Sequence, residues 1–143
     1  MSPESRPVCI VVIEGLERDA WLIERAIRGT GASNEVVAFR TGAEALTWLF
    51  GDDGSGGRPL LIVLGLSLPD MAGADLLGQL KANPHTRPAQ VVVLTTIEDT
   101  EGIRRSYDLG ASVCITEPVD DPGFVEAIRL GLFLSVIEAP ELD

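Results

Sequence analysis

Residues 60–73 read LLIVLGLSLPDMAG, a continuous apolar run that ends at Gly65 and passes into a loop containing Pro69 and Asp70. An apolar run without polar alternation predicts a strand that is buried on both faces, as in a parallel sheet. Further strand-like segments, mostly apolar, lie at 9–13, 35–39 and 91–96, and segments with helical periodicity separate them. This alternation predicts a doubly wound α/β domain.

Five helices are predicted from periodicity and from the signals at their ends. Leu22 and Ala26, at i,i+4 spacing, mark the first helix near residues 19–28. Thr41 and Glu44 have capping-box spacing at the start of the second helix. The other three are placed by Asn83-Pro84 after the third helix, by Gly110 after the fourth, and by Asp120 or Asp121 at the start of the fifth.

Composition favours one soluble domain. The chain has 143 residues, and we predict a single domain over residues 1–143, with a core at about residues 8–137 and a short tail at 138–143. The net charge of −11 would repel a nucleic-acid backbone, so we predict no nucleic-acid partner. Residues 1–7 lack the apolar core of a signal peptide, and no apolar run could span a membrane. We therefore expect a cytoplasmic protein with no membrane partner.

Four segments resemble the receiver domain of two-component response regulators. They are CIVVIE at 9–14, VVVLTT at 91–96, SYDLGA at 106–111 and ITEPVD at 115–120, which match the first strand, the fourth strand, the end of the fourth helix and the fifth strand. The resemblance implies a flavodoxin-like (CheY-like) fold, with five helices and five parallel strands in the order 2-1-3-4-5. The last two segments are most similar to stand-alone regulators associated with phytochromes.

The resemblance also implies that the chemistry of the family has been lost. An active receiver needs a phosphoacceptor aspartate, carboxylates that hold Mg²⁺, and a lysine that neutralises the phosphoryl group. At the matching positions this chain has Gly65 for the acceptor, Gly15 for a metal-binding aspartate and Glu117 for the lysine. Glu14 of the acidic pair and the switch threonine, Thr95, are kept. We therefore predict no phosphorylation, no enzymatic activity, and no bound metal or cofactor.

Several residues in or near this pocket have competing interpretations. Glu14 and Glu117 either hold a cation weakly or are solvated or paired at the pocket rim. Cys114 stands at the aromatic switch position of active receivers, and we expect a small strand-end residue there instead of a redox thiol. The implied strand order separates Cys114 from Cys9 by roughly 14 Å, which is too far for a disulfide. His85, the single histidine, is expected on the surface.

Two other functional classes fit the residues less well. A flavin or nucleotide binder with this strand order needs a phosphate loop rich in Gly, Ser and Thr, whereas residues 14–19 contain three acids. An enzyme needs a catalytic constellation, and a single histidine leaves most acid–base schemes without a candidate. We predict a pseudo-receiver that binds a protein partner, either a histidine kinase, for instance of the phytochrome type, or another regulator.

The last predicted helix carries two apolar stripes, one of which is expected to cover the sheet. The second stripe has i, i+3, i+4 and i+7 spacing and consists of Leu130, Phe133, Leu134 and Ile137. An apolar patch of this kind predicts an interface, so we expect a homodimer formed through this stripe. The alternative is that the tail, residues 138–143, folds back over it.

Overall fold

The computed structural model describes residues 8–51, 59–96 and 98–116, together with Glu126. In these residues five strands and four helices follow each other as β1 (Cys9–Ile13), α1 (Glu17–Gly29), β2 (Val36–Phe39), α2 (Gly42–Phe50), β3 (Leu60–Gly65), α3 (Gly73–Ala82), β4 (Gln90–Thr95), α4 (Thr100–Asp108) and β5 (Val113–Thr116). The predicted fifth helix, which starts at Asp120 or Asp121, lies outside the described residues, so four helices are seen where five were expected.

All neighbouring strands of the sheet are parallel, and their order is β2-β1-β3-β4-β5. This confirms the predicted flavodoxin-like order. β3 is the central strand, and every residue from Leu60 to Gly65 is buried. Burial on both faces explains why the central run is continuously apolar instead of alternating.

The core consists of one apolar layer on each face of the sheet. Ile23 and Ile27 of α1 are fully buried in the layer on one face. On the other face lie buried residues of α2 and α3, namely Ala45, Leu49, Leu76, Leu77 and Leu80. The apolar residues of α1 and α3 thus lie on the helix faces that pack against the sheet. No helix of the described ranges is long and apolar enough to cross a membrane.

Most element ends agree with the sequence signals. Thr41 caps α2 by accepting the Glu44 N–H at 3.1 Å, and the Glu44 carboxylate reaches back to the Arg40 N–H at 3.3 Å. Gly110 follows α4 with a φ of +106°, a conformation that favours glycine. Cys114 lies inside the fifth strand, as expected. The strand begins at Val113, because the glycine turn returns the chain at once to pair with β4.

Candidate functional site

A cleft of about 360 Å³ opens at the carboxyl ends of β1, β3 and β4. We call it the strand-end cleft, and its lining residues are Glu14, Leu16, Asp19, Leu66, Ser67, Leu94, Thr95, Thr96 and Asp99. Ligands of open α/β sheets bind at this edge, so the cleft is the place where a site is expected. The structure brings two of the predicted site residues, Glu14 and Thr95, into its wall.

Glu14 is a buried carboxylate with 6% of its surface exposed. Its Oε2 accepts the backbone N–H of Leu16 at 3.2 Å. A Cβ atom built on Gly65 would collide with Oε1 of Glu14 and would lie 3.0 Å from its Cδ. The Glu14 carboxylate therefore occupies the volume in which a side chain at position 65 would begin. Of the alternatives considered for Glu14, the structure shows pairing with a backbone amide, because the turn at Leu16 brings that N–H to the buried carboxylate.

Gly15 is closely enclosed as well. A Cβ atom at this position would lie 2.9 Å from Cδ of Pro69 and 3.4 Å from the Ser67 carbonyl oxygen. A contact of 2.9 Å is shorter than normal carbon–carbon contacts, so an aspartate here would require the Pro69 loop to move. In the described residues no group of three or more His, Cys, Asp and Glu side chains is arranged to hold a metal ion. The described residues therefore do not form the Mg²⁺ site that active receivers use.

Thr95 is tied to the start of α4 through a residue that the sequence analysis did not single out. Its hydroxyl donates to Oδ2 of Asp99 at 3.0 Å, and Oδ1 of Asp99 accepts the Gly102 N–H at 3.0 Å. Asp99 is thus the N-cap of α4 and the partner of the threonine at once. An aspartate three residues before Gly102 was the available signal. The link couples the end of β4 directly to α4.

The strand-end cleft is unsuited to an anionic ligand. Three carboxylates contribute to its lining, those of Glu14, Asp19 and Asp99. A phosphate site uses convergent N–H groups or cations, and the described lining includes no Lys, Arg or His. This geometry counts against the flavin or nucleotide alternative.

Cys114 has an aromatic neighbour that comes from α4. The Tyr107 hydroxyl accepts the Cys114 N–H at 3.0 Å, while the tyrosine ring is about half exposed. Burial raises the pKa of the Cys114 thiol, and hydrogen bonds with Tyr107 and Ser106 offset part of that effect. A raised pKa reduces the thiolate fraction, which supports the small-residue interpretation over the redox one. Cys9 is buried, Cys114 is partly buried, and the two are not joined by a disulfide.

The remaining predicted residues are placed as follows. His85 is exposed, and its backbone N–H donates to Oδ1 of Asn83. Glu117 lies outside the described residues, so the alternative of a weak cation site shared with Glu14 is not tested. The same holds for the dimer stripe, Leu130, Phe133, Leu134 and Ile137.

Asp70, in the loop between β3 and α3, anchors the start of α2. Its Oδ1 accepts the Gly42 N–H and its Oδ2 accepts the Ala43 N–H, both at 2.9 Å. The bond from Gly42, and then that from Ala43, lower the pKa of Asp70 below its ordinary value. Since the folded pKa lies below the unfolded one, the carboxylate stabilises the fold fully above about pH 4, and this stabilisation is lost as the pH falls through the folded pKa.

We expect Asp70→Asn to lower the stability at neutral pH and to approach the wild type below about pH 4. Asparagine offers a single acceptor oxygen to the two N–H groups, and its amide donors oppose them. Urea midpoints measured across this pH range test the expectation. Glu98→Gln removes a charge from an exposed side chain and serves as the control. A midpoint difference that persists unchanged in acid would contradict the role of the carboxylate.

Comparison with known proteins identifies the family. Residues 10–129 match the family model described as the response regulator receiver domain. Response regulator Rcp1 of Synechocystis sp. is 32% identical over 120 residues, which cover 82% of this chain and 82% of the relative.

Solved structures agree with this match. A response regulator receiver domain from Rhodospirillum rubrum is 53% identical, with a TM-score of 0.75, and the match covers 90% of this chain and 94% of that one. The phosphorylated cyanobacterial phytochrome response regulator RcpA is 31% identical, with a TM-score of 0.74 and coverage of 87% and 90%. The predicted resemblance, including its phytochrome-associated subgroup, is confirmed.

Proposed function

This chain belongs to the response regulator receiver domain family of two-component signalling, and from that premise we propose that it is a pseudo-receiver that works without phosphorylation. It binds a protein partner in the cytoplasm, and its output does not depend on a phosphoryl group. It has no enzymatic activity of its own.

The observation that carries this proposal is Gly65 at the carboxyl end of the central strand. Phosphoryl transfer to a receiver requires a nucleophilic carboxylate at a fixed position, and glycine has none. Gly15, enclosed by Pro69, supplies no metal ligand. Glu117, outside the described residues, would add a negative charge where the phosphoryl group needs a cation. Nucleophile, metal and charge neutralisation are therefore lost together.

A conformational consequence follows from the missing ligand. A ligand shifts an equilibrium between two states only by its differential affinity for them. Without a phosphoryl group, no such bias acts on Thr95, which is engaged with Asp99. We propose that the protein rests in one signalling state and presents a constant surface to its partner.

The partner that fits best is a histidine kinase, for instance of the phytochrome type, or another regulator. The similarity to RcpA and Rcp1 supports this choice. The net charge of −11 argues against nucleic acid. Blocking a kinase and scaffolding a second regulator are both compatible with a binding module of this kind.

The proposal is tested by measuring the affinity for a partner with and without phosphoryl transfer. The immobilised chain is exposed to a phytochrome-type histidine kinase encoded in the same genome, first with ATP and then with a non-hydrolysable analogue. We expect the same affinity in both conditions. Binding that appears only with ATP would contradict phosphorylation independence. RcpA, whose phosphorylated form is known, is the matched control protein.

We further propose a homodimer formed through Leu130, Phe133, Leu134 and Ile137, which lie outside the described residues. Changing Leu130 and Leu134 to glutamate should give a folded monomer in light scattering, because a two-fold interface places each stripe against its own copy. Leu16→Glu, at a leucine that is 63% exposed elsewhere, should leave the dimer intact. A wild-type protein that is monomeric in concentrated solution would contradict the dimer.

A further inference from the structure

Glu14 and Gly65 are neighbours at the ends of two adjacent parallel strands. β1 and β3 are paired in the register Ile13↔Leu64, so the next residue of each strand lies at the same level. Both residues are buried. Their proximity follows from the pairing of two strands that are about fifty residues apart in the sequence.

The two oxygens of the Glu14 carboxylate have different environments. Oε2 accepts the Leu16 N–H at 3.2 Å, which fixes the orientation of the group. Oε1 lies where the first side-chain atom of residue 65 would be, since a Cβ there would collide with it. Real Cβ atoms do not approach a neighbour this closely, so a side chain at 65 and the present position of Glu14 exclude each other.

We propose that Glu14 is an internal occupant of the acceptor position. Its carboxylate, supplied from β1, fills the volume that the acceptor side chain of β3 would take, and it holds this end of the strand-end cleft in one arrangement. Gly65 and Glu14 are then coupled, because the carboxylate can lie in this position only while residue 65 has no side chain. The role of this occupant in signalling rests on the proposed function. The coupling itself is measured by protein stability, so the proposed function and the coupling can fail independently.

The occupied position excludes a phosphoryl acceptor by volume as well as by chemistry. An aspartate restored at position 65 would have to expel the buried Glu14 carboxylate or lie directly against it. Two carboxylates in contact repel each other, and burial strengthens the repulsion. The acceptor position is filled by a side chain of the protein itself.

A double-mutant cycle tests the coupling. In the wild type, Gly65→Ala should raise the unfolding equilibrium constant markedly, because the new methyl group displaces Glu14. In the Glu14→Ala background the same change enters the space that was vacated and should cost little. We expect the two effects to differ by at least tenfold in the unfolding constant, or about 1.4 kcal/mol. A smaller difference overturns the proposal.

Two controls separate volume from charge and from general strain. Glu14→Gln keeps the size of the side chain, so Gly65→Ala should cost as much there as in the wild type. If the cost disappears with glutamine, filling by volume is wrong. Gly29→Ala, where no atom lies within 4 Å of the new Cβ, should have the same effect in all backgrounds. If Gly65→Ala alone does not fold, a folded Glu14→Ala/Gly65→Ala double variant supports the proposal and an unfolded one overturns it.

Discussion

Replacing Gly73 with alanine is expected to destabilise the protein by about 3 kcal/mol, the upper end of the range for overpacking. Gly73 starts α3, and its N–H donates to the Leu66 carbonyl at 2.9 Å. An added Cβ would lie 2.5 Å from the Gly65 carbonyl oxygen and 2.6 Å from Cα of Leu66. These neighbours are backbone atoms of the central strand end, so no rotamer change can relieve the contact.

Gly29→Ala, in the last turn of α1, is the matched control for this variant. No heavy atom lies within 4 Å of its new Cβ, and its backbone is helical. We expect a gain of about 0.4–1 kcal/mol, because alanine restricts the unfolded chain. Urea unfolding followed by circular dichroism measures both variants. If the two alanines shift the midpoint in the same direction, the close approach of α3 to β3 is wrong.

Leu77→Ala should cost about 2–5 kcal/mol, the usual range for a large-to-small change in a core. Leu77 of α3 is fully buried in the layer that also contains Leu64 and Leu49. Truncation leaves a cavity beneath the helix that positions the loop around Asp70. The stability change is read from the urea midpoint and slope.

Leu16→Ala is the corresponding exposed control. The side chain of Leu16 is 63% exposed at the cleft, so its truncation should change stability by no more than about 0.5 kcal/mol. Comparable losses at Leu16 and Leu77 would contradict the assignment of α3 to the core.

Local sequence signals predicted the features that depend on local physics. The apolar run at 60–65, the Thr41–Glu44 cap and the glycine after α4 each depend on residues close in the chain. Strand order came from the resemblance to receivers and was confirmed. Glu14 and Thr95 line the same cleft because each lies at the carboxyl end of a strand of one parallel sheet.

Features that depend on long-range packing could not be predicted in the same way. Asp70 caps a helix that starts 28 residues earlier, and Tyr107 binds the backbone of the following strand. The position of the Glu14 carboxylate in the space at Gly65 requires the register of β1 on β3. Each of these contacts joins a polar group of one element to another element. The periodicity of hydrophobic residues in the sequence does not indicate such contacts.

Intact-mass spectrometry after incubation with acetyl phosphate and Mg²⁺ tests the central claim most directly, with RcpA as the positive control. We expect no mass change in the wild type, because Gly65 has no carboxylate to accept phosphate. Gly65→Asp alone should not restore efficient labelling, since Gly15 and Glu117 supply neither the metal ligand nor the lysine. A hydroxylamine-labile adduct of phosphate mass on the wild-type chain would contradict the account.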